Sequence, residues 1–266
     1  MRTFEDFLQE LELLETFQQQ GRIASAETPA AIETSPTISV PTVRVTSNRP
    51  PLQAATPVAV APIAIDPARA ARIATMDWAE LKEEAASCTA CGLCKQRKQA
   101  VFGVGAASAP WLFVGEGPGA EEDEQGEPFV GQAGKLLDAM LAAAGLLRGR
   151  EVYIANVVKC RPPGNRTPTA DEAAACAPLL DRQIDLIQPS LIVALGKTAV
   201  IRLTGSDLNM ASMRGSLHRY RGIPVVATYH PAYLLRSPTE KLKAWEDLLF
   251  ARREMANQGA QQVTTP

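Results

Sequence analysis

The chain has 266 residues, 46% of them apolar, and a formal charge of -2, which is length enough for one well-buried core with residues to spare. No apolar run reaches the roughly 18 residues that cross a bilayer, so a helical membrane protein is excluded. The opening Met1-Arg2-Thr3-Phe4-Glu5 lacks the basic segment, apolar core and cleavage site of a secretion signal, so a soluble, cytoplasmic protein is expected.

In chain order, Phe4, Phe7, Leu8, Leu11, Leu14 and Phe17 recur at spacings of three and four, which predicts an amphipathic helix within residues 1–22. It is either a docking peptide for the groove of a protein partner or a helix that folds back on the main domain. Residues 23–75 are rich in Ala, Pro and Thr with few charges, the composition of an extended, disordered tether. From residue 76 to 256 the pattern becomes an alternation of short apolar strands and helices. The strands are Trp111 to Val114, Val152 to Val157, Leu191 to Leu195 and Val225 to Thr228. Between and after them lie helical stretches around Leu136 to Ala144, Ala170 to Ile187, Thr198 to Leu203 and Glu240 to Arg253. Thr169 with Glu172 forms a capping box. Residues 257–266 read as a flexible tail. Strands that are apolar throughout belong to a parallel sheet covered on both faces. The expected fold is therefore α/β, a three-layer α/β/α sandwich on a central four-stranded parallel sheet, with monomer as the default state.

Cys88 and Cys91 stand two residues apart, with Cys160 and Cys176 far downstream. In a reducing compartment that pattern reads as a metal site. Four thiolates satisfy a tetrahedral zinc or a cubane cluster equally well. The basic side chains cluster too: Lys95, Arg97 and Lys98; Lys159, Arg161 and Arg166; Arg214, Arg219, Arg221 and Arg236. Such groups suit phosphates, although any one of them alone reads as solvated surface.

Ligands of parallel sheets bind beyond the carboxyl ends of the strands. After the first strand comes Gly115-Glu116-Gly117-Pro118-Gly119, then Glu121-Glu122-Asp123, and later Pro128-Phe129-Val130-Gly131. Pro118 removes a donor and the acids repel phosphate, so a dinucleotide loop is rejected. Gly196-Lys197-Thr198 imitates the end of a phosphate loop, but Leu191 stands where that motif needs its first glycine. After the second strand come Asn156 and then Lys159-Cys160-Arg161-Pro162-Pro163-Gly164-Asn165-Arg166. After the fourth comes His230-Pro231-Ala232-Tyr233-Leu234-Leu235-Arg236. The position of His230 at a strand end favours a functional role, whereas His218 keeps a structural one.

Taken together, the Gly-Glu-Gly-Pro-Gly run with Glu122-Asp123, the Pro128 to Gly131 segment, the Asn156 to Pro163 segment and the His230 to Arg236 segment resemble the family 4, iron–sulfur uracil-DNA glycosylases over about residues 80–254. The resemblance implies a [4Fe–4S] cluster on Cys88, Cys91, Cys160 and Cys176, with Cys94 a spare thiol, and uracil-containing DNA as substrate. It implies that the enzyme flips uracil out of DNA and hydrolyses its N-glycosidic bond, the first step of base excision repair. By the same resemblance Phe129 stacks on the base, the Asn156 amide reads its edge, and His230 stabilises the departing anion. Glu116 and Gly117 line the other wall; Glu116 is the first choice to orient water and Glu122 the second, unless Glu122 and Asp123 fix the loop by bonding backbone. Arg161, Arg166 and Arg236 are expected at DNA phosphates with Lys159 nearby, and Leu234 or Leu235 fills the gap left by the base. The stretch from Arg161 to Pro168 holds no histidine to trap uracil covalently, so release of free uracil is expected. A non-catalytic, zinc-binding DNA module is the competing reading, and it leaves Phe129, Asn156 and His230 together without a purpose.

Overall fold

The computed structural model describes residues 66–263; the helix expected in residues 1–22 and the tether up to residue 65 lie outside them. The tether reading overlaps the described residues at 66–75. Pro67–Thr75 is a helix, α1, capped by Asp66, whose carboxylate accepts from the Ala68 amide at 2.9 Å. Asp-Pro is a helix-start signal that the proline-rich surroundings conceal. Helix α2, Trp78–Ser87, follows with a capping box between Asp77 and Glu80.

Four strands lie where expected: β1 Trp111–Gly115, β2 Val152–Asn156, β3 Leu191–Leu195 and β5 Ile223–Thr228. The first three are buried at every position, which is why they read as unbroken apolar runs. The sheet has five strands, ordered β2-β1-β3-β5-β4, and not four. The addition is β4, Leu217–Tyr220, antiparallel to β5 at the edge. Its side chains alternate between exposed and half-buried, and a two-residue turn joins it to β5. Arg221 and Gly222 in that turn both have positive φ, 50° and 88°, the signature of a hairpin whose twist matches its strands.

Helices cover both faces. One core combines Leu112 and Val114 of β1 with α1, α2, α5 (Ala170–Ile187) and α6 (Lys197–Thr204). The other combines Trp111 and Phe113 with α4 (Gln132–Ala143) and α9 (Lys241–Val263). Helix α9 continues to Val263, so the backbone at residues 257–263 is helical and not an irregular tail. Three short helices complete the described chain: α3 (Ala120–Gln125), α7 (Met210–Met213) and α8 (Pro231–Arg236). No helix among the described residues is long and apolar enough to cross a membrane.

Candidate active site and cysteine site

The carboxyl ends of β1, β2, β3 and β5 open into a cleft of about 480 Å³, lined by Glu116, Asn156, Gly196 and His230 from those four ends and by Phe129 from the loop before α4. Each is placed by a steric or hydrogen-bonding device. Gly115 ends β1 because a Cβ there would lie 2.4 Å from Asn156 Oδ1 and 2.6 Å from Phe129 Cζ. Gly196, at φ 84°, lets the chain pass His230, whose Cβ would be 2.9 Å from an added one. The Cβ direction of Gly117 is filled by Val158 Cγ2 at 2.7 Å, so the cleft wall there is bare backbone.

Phe129 adopts φ 56°, a left-handed conformation that a non-glycine residue holds only when its surroundings impose it. Arg148 imposes it, donating to the Pro128 carbonyl at 2.9 Å and to the Phe129 carbonyl at 2.7 Å, while Asp138 holds the guanidinium at 2.7 Å. The Phe129 ring stacks on His230 with centroids 5.4 Å apart and planes 29° from parallel.

Asn156 is 2% exposed, and its Oδ1 has no hydrogen-bond partner. A buried acceptor without a partner is costly until a donor completes it, and the residue that carries it lines the cleft. His230 caps α8, and its Nδ1 accepts from the Ala232 amide at 3.2 Å. An accepting Nδ1 leaves the proton on Nε2. Burial, reinforced by the charge of Arg236 and opposed by that of Glu122, pushes the imidazole down to about 4. The ring is thus neutral at physiological pH, with Nε2–H as its donor.

Glu116 Oε2 accepts from the Thr198 hydroxyl. Glu122 is different: Oε1 accepts from the Val130 and Gly131 amides at 3.0 and 3.1 Å, and Oε2 from Gly119 at 3.0 Å. Asp123 accepts from the Lys98 amide at 2.9 Å. Both carboxylates therefore tie the loop together, and Glu122 lines the cleft as well.

Other expectations are also corrected. Leu234 is 0% exposed and belongs to the core, whereas Leu235 on the same short helix is 43% exposed. Only Leu235 is free to enter a nucleic acid. Lys159 is 1% exposed, with its ammonium on the Asn156 carbonyl at 2.9 Å, and so cannot meet phosphates. Arg166 and Arg236 line the cleft; Arg166 is held there by a bidentate pair with Glu172 at 2.7 and 2.8 Å. Arg161 projects from the same loop and donates to Asn165 at 2.7 Å. His218 bonds the Met213 carbonyl at 2.7 Å through Nε2, a structural role.

Cys88, Cys91, Cys94, Cys160 and Cys176 line one small cavity, none of them in a disulfide. No group of three or more His, Cys, Asp or Glu among the described residues is drawn together as the ligands of a single metal ion are. N–H groups aim at three of the sulfurs: Arg97 Nη1 at Cys160 (2.8 Å), Arg69 Nη2 at Cys88 (3.2 Å) and the Lys159 amide at Cys176 (3.3 Å). Burial pushes the Cys176 thiol up to about 12 and raises Cys91 and Cys160 as well, so thiolates here require compensating positive charge, as a metal group supplies on binding. An all-sulfur donor set with N–H donors behind it fits an iron–sulfur cluster.

Arg148 and Arg69 escaped the sequence reading. Thr198 follows a strand end, but the failed phosphate-loop match removed it from view, and Arg97 was read with the phosphate-suited basic cluster whereas it donates to Cys160.

A covered, mostly parallel sheet carrying an aromatic ring, an amide and a neutral imidazole around a cleft at its strand ends defines an α/β protein with its site at the carboxyl edge of the sheet. Comparison with known proteins gives the same answer. The profile described as the uracil DNA glycosylase superfamily matches residues 102–249. The type-4 uracil-DNA glycosylase of Thermotoga maritima is 44% identical over 183 residues, covering 67% of this chain and 95% of that protein. That of Pyrobaculum aerophilum is 44% identical over 181 residues, covering 65% and 92%. A type-5 uracil-DNA glycosylase of Mycobacterium leprae is 33% identical over 155 residues, covering 50% and 67%. The chain belongs to the uracil DNA glycosylase superfamily.

Proposed function

We propose that this protein is a monofunctional uracil-DNA glycosylase of the type-4 class, hydrolysing the N-glycosidic bond of uracil in DNA to open base excision repair. The observation that carries this reading is the meeting of Asn156, Phe129 and His230 in the lining of one cleft at the strand ends.

Reaching the bond requires the nucleotide to be flipped out at a cost of a few kcal/mol. Stacking on Phe129 offsets part of it. Asn156 Oδ1 accepts from uracil N3–H while its amide nitrogen donates to O4. Cytosine offers an acceptor at N3 and a donor at the 4-position, so both bonds fail and buried groups are left unpaired. Cleavage leaves a cation-like sugar and a uracil anion. His230 Nε2–H donates to O2 as charge gathers there, with no proton to lose and no reorganisation. Glu116, held by Thr198, orients water towards the sugar and favours its positive charge. Arg161, Arg166 and Arg236 at the rim meet phosphates, and Leu235 fills the vacated stack.

Cys88, Cys91, Cys160 and Cys176 hold a [4Fe–4S] cluster in this reading. When bound, it supplies cross-links between the segment before β1, the loop after β2 and α5.

The test is an oligonucleotide carrying one uracil, incubated with the purified protein without added metal and then cleaved with alkali, beside thymine and cytosine controls. Breakage at uracil alone is expected. DNA binding without breakage would favour a non-catalytic module.

A further inference from the structure

Four thiolates and an iron–sulfur core carry net negative charge, and charge taken out of water needs nearby counter-charge or hydrogen bonds. Three cations answer that need around the cysteine cavity. Arg97 donates from Nη1 to Cys160 Sγ at 2.8 Å and from Nη2 to the Ala86 carbonyl of α2 at 2.5 Å. Arg69 donates from Nη2 to Cys88 Sγ at 3.2 Å and from Nη1 to the Ala175 carbonyl, next to Cys176, at 2.9 Å. Glu84 fixes the Arg69 guanidinium from behind at 3.2 Å. The Lys159 side chain lines the same cavity, almost wholly buried, and no carboxylate among the described residues stands within ion-pair distance of it.

Arg69 comes from α1, ahead of the residues 102–249 that match the family profile. Its guanidinium bridges α1, α2 and α5 across the cavity edge, so this helix closes the site as well as covering the core.

Resting on the reading of the cysteines as cluster ligands, we propose that Arg69, Arg97 and Lys159 form a cationic outer shell that retains the cluster and sets its reduction potential. N–H donors and positive charge at the sulfurs favour the more negative, reduced state. Removing one cation shifts the potential to a more negative value and opens the cluster to chelators. Neither arginine touches the cleft, so uracil excision by fully loaded variants stays at the wild-type rate.

The experiment compares purified, iron-loaded wild type with Arg69→Met, Arg97→Met, Arg97→Lys and Glu84→Gln. It reads the reduction potential by spectroelectrochemistry and the loss of visible absorbance under a chelator. Both Met variants are expected to show a more negative potential and iron loss faster by about 10-fold or more. Arg97→Lys restores the potential, because charge is kept. Glu84→Gln, which loosens Arg69 from the surface side, speeds iron loss and keeps the proposal testable should a Met variant fail to fold. Potentials and iron loss equal to wild type across the set would overturn the shell, as would an Arg97→Lys potential no nearer to wild type than that of Arg97→Met. Wild type purified without iron would instead defeat the cofactor reading itself.

Discussion

The Arg148 guanidinium donates to the Phe129 carbonyl at 2.7 Å from nineteen residues away in sequence. That contact holds the proposed base-stacking ring in a conformation that costs about 1–3 kcal/mol on its own.

Replacing Arg148 by Met keeps the volume and removes the donors. Three charge-assisted bonds are lost, two of them to the loop carbonyls, so the protein should lose about 1–3 kcal/mol of stability. The Phe129 backbone should relax from φ 56°, with single-turnover excision about 10-fold slower or worse for a ring displaced by a fraction of its width. Melting and rapid-quench assays check the two parts separately. A variant that loses stability but excises at full rate would show that Arg148 braces the loop without aiming the ring.

Burial holds His230 near 4, well below the ordinary 6.5 of histidine. Between those values the unfolded chain binds a proton that the folded chain refuses. The stability contributed by neutral His230 is therefore complete above pH 6.5 and is lost as pH falls towards 4. Excision follows the folded value: kcat/KM should stay level through 6.5 and fall on an acid limb near 4. A limb centred at 6.5, absent in His230→Ala, would contradict the neutral-donor assignment.

Leu234 and Leu235 separate two roles that their adjacency blurs. Leu234→Ala should cost about 2–5 kcal/mol, as a buried leucine does. Leu235→Ala should leave melting within about 0.5 kcal/mol, yet slow excision from duplex DNA several-fold more than from single strands, where no gap in a stack needs filling.

Much of this architecture was written in the chain. Strands β1, β2 and β3 are buried on both faces, so apolar runs betrayed them, and Thr169 with Glu172 marked the start of α5 to the residue. Strand β4 was hidden because Leu-His-Arg-Tyr is short and half-exposed, and its two adjacent polar residues break the apolar–polar alternation of a strand. Helix α1 was hidden by the prolines before it. In the site, His230 was legible because it follows a strand end, and Phe129 and Asn156 because their segments resemble those of the iron–sulfur uracil-DNA glycosylases. Whether Leu234 or Leu235 faces out depends on which side of α8 the core lies, and that is a tertiary fact. The same holds for Lys159, whose burial reverses the reading of a lysine among arginines, and for Arg148, whose partner is distant in sequence.

Cys176→Ser should purify without its visible chromophore, and melt about 3 kcal/mol or more below wild type through the lost cross-links. Cys94→Ser should keep both, although Cys94 lines the same cavity. Iron content and thermal melting decide it; the reverse pattern would make Cys94 a ligand in place of Cys176.

The most direct test of the account is single-turnover release of free uracil from a labelled oligonucleotide, measured for wild type and Asn156→Ala. The proposed reading of uracil by the Asn156 amide predicts release by wild type and a fall of about 100-fold or more in the variant, the cost of an unmade pair of buried bonds. An Asn156→Ala rate within about twofold of wild type, well short of the cost of even one such bond, would show that uracil is read elsewhere.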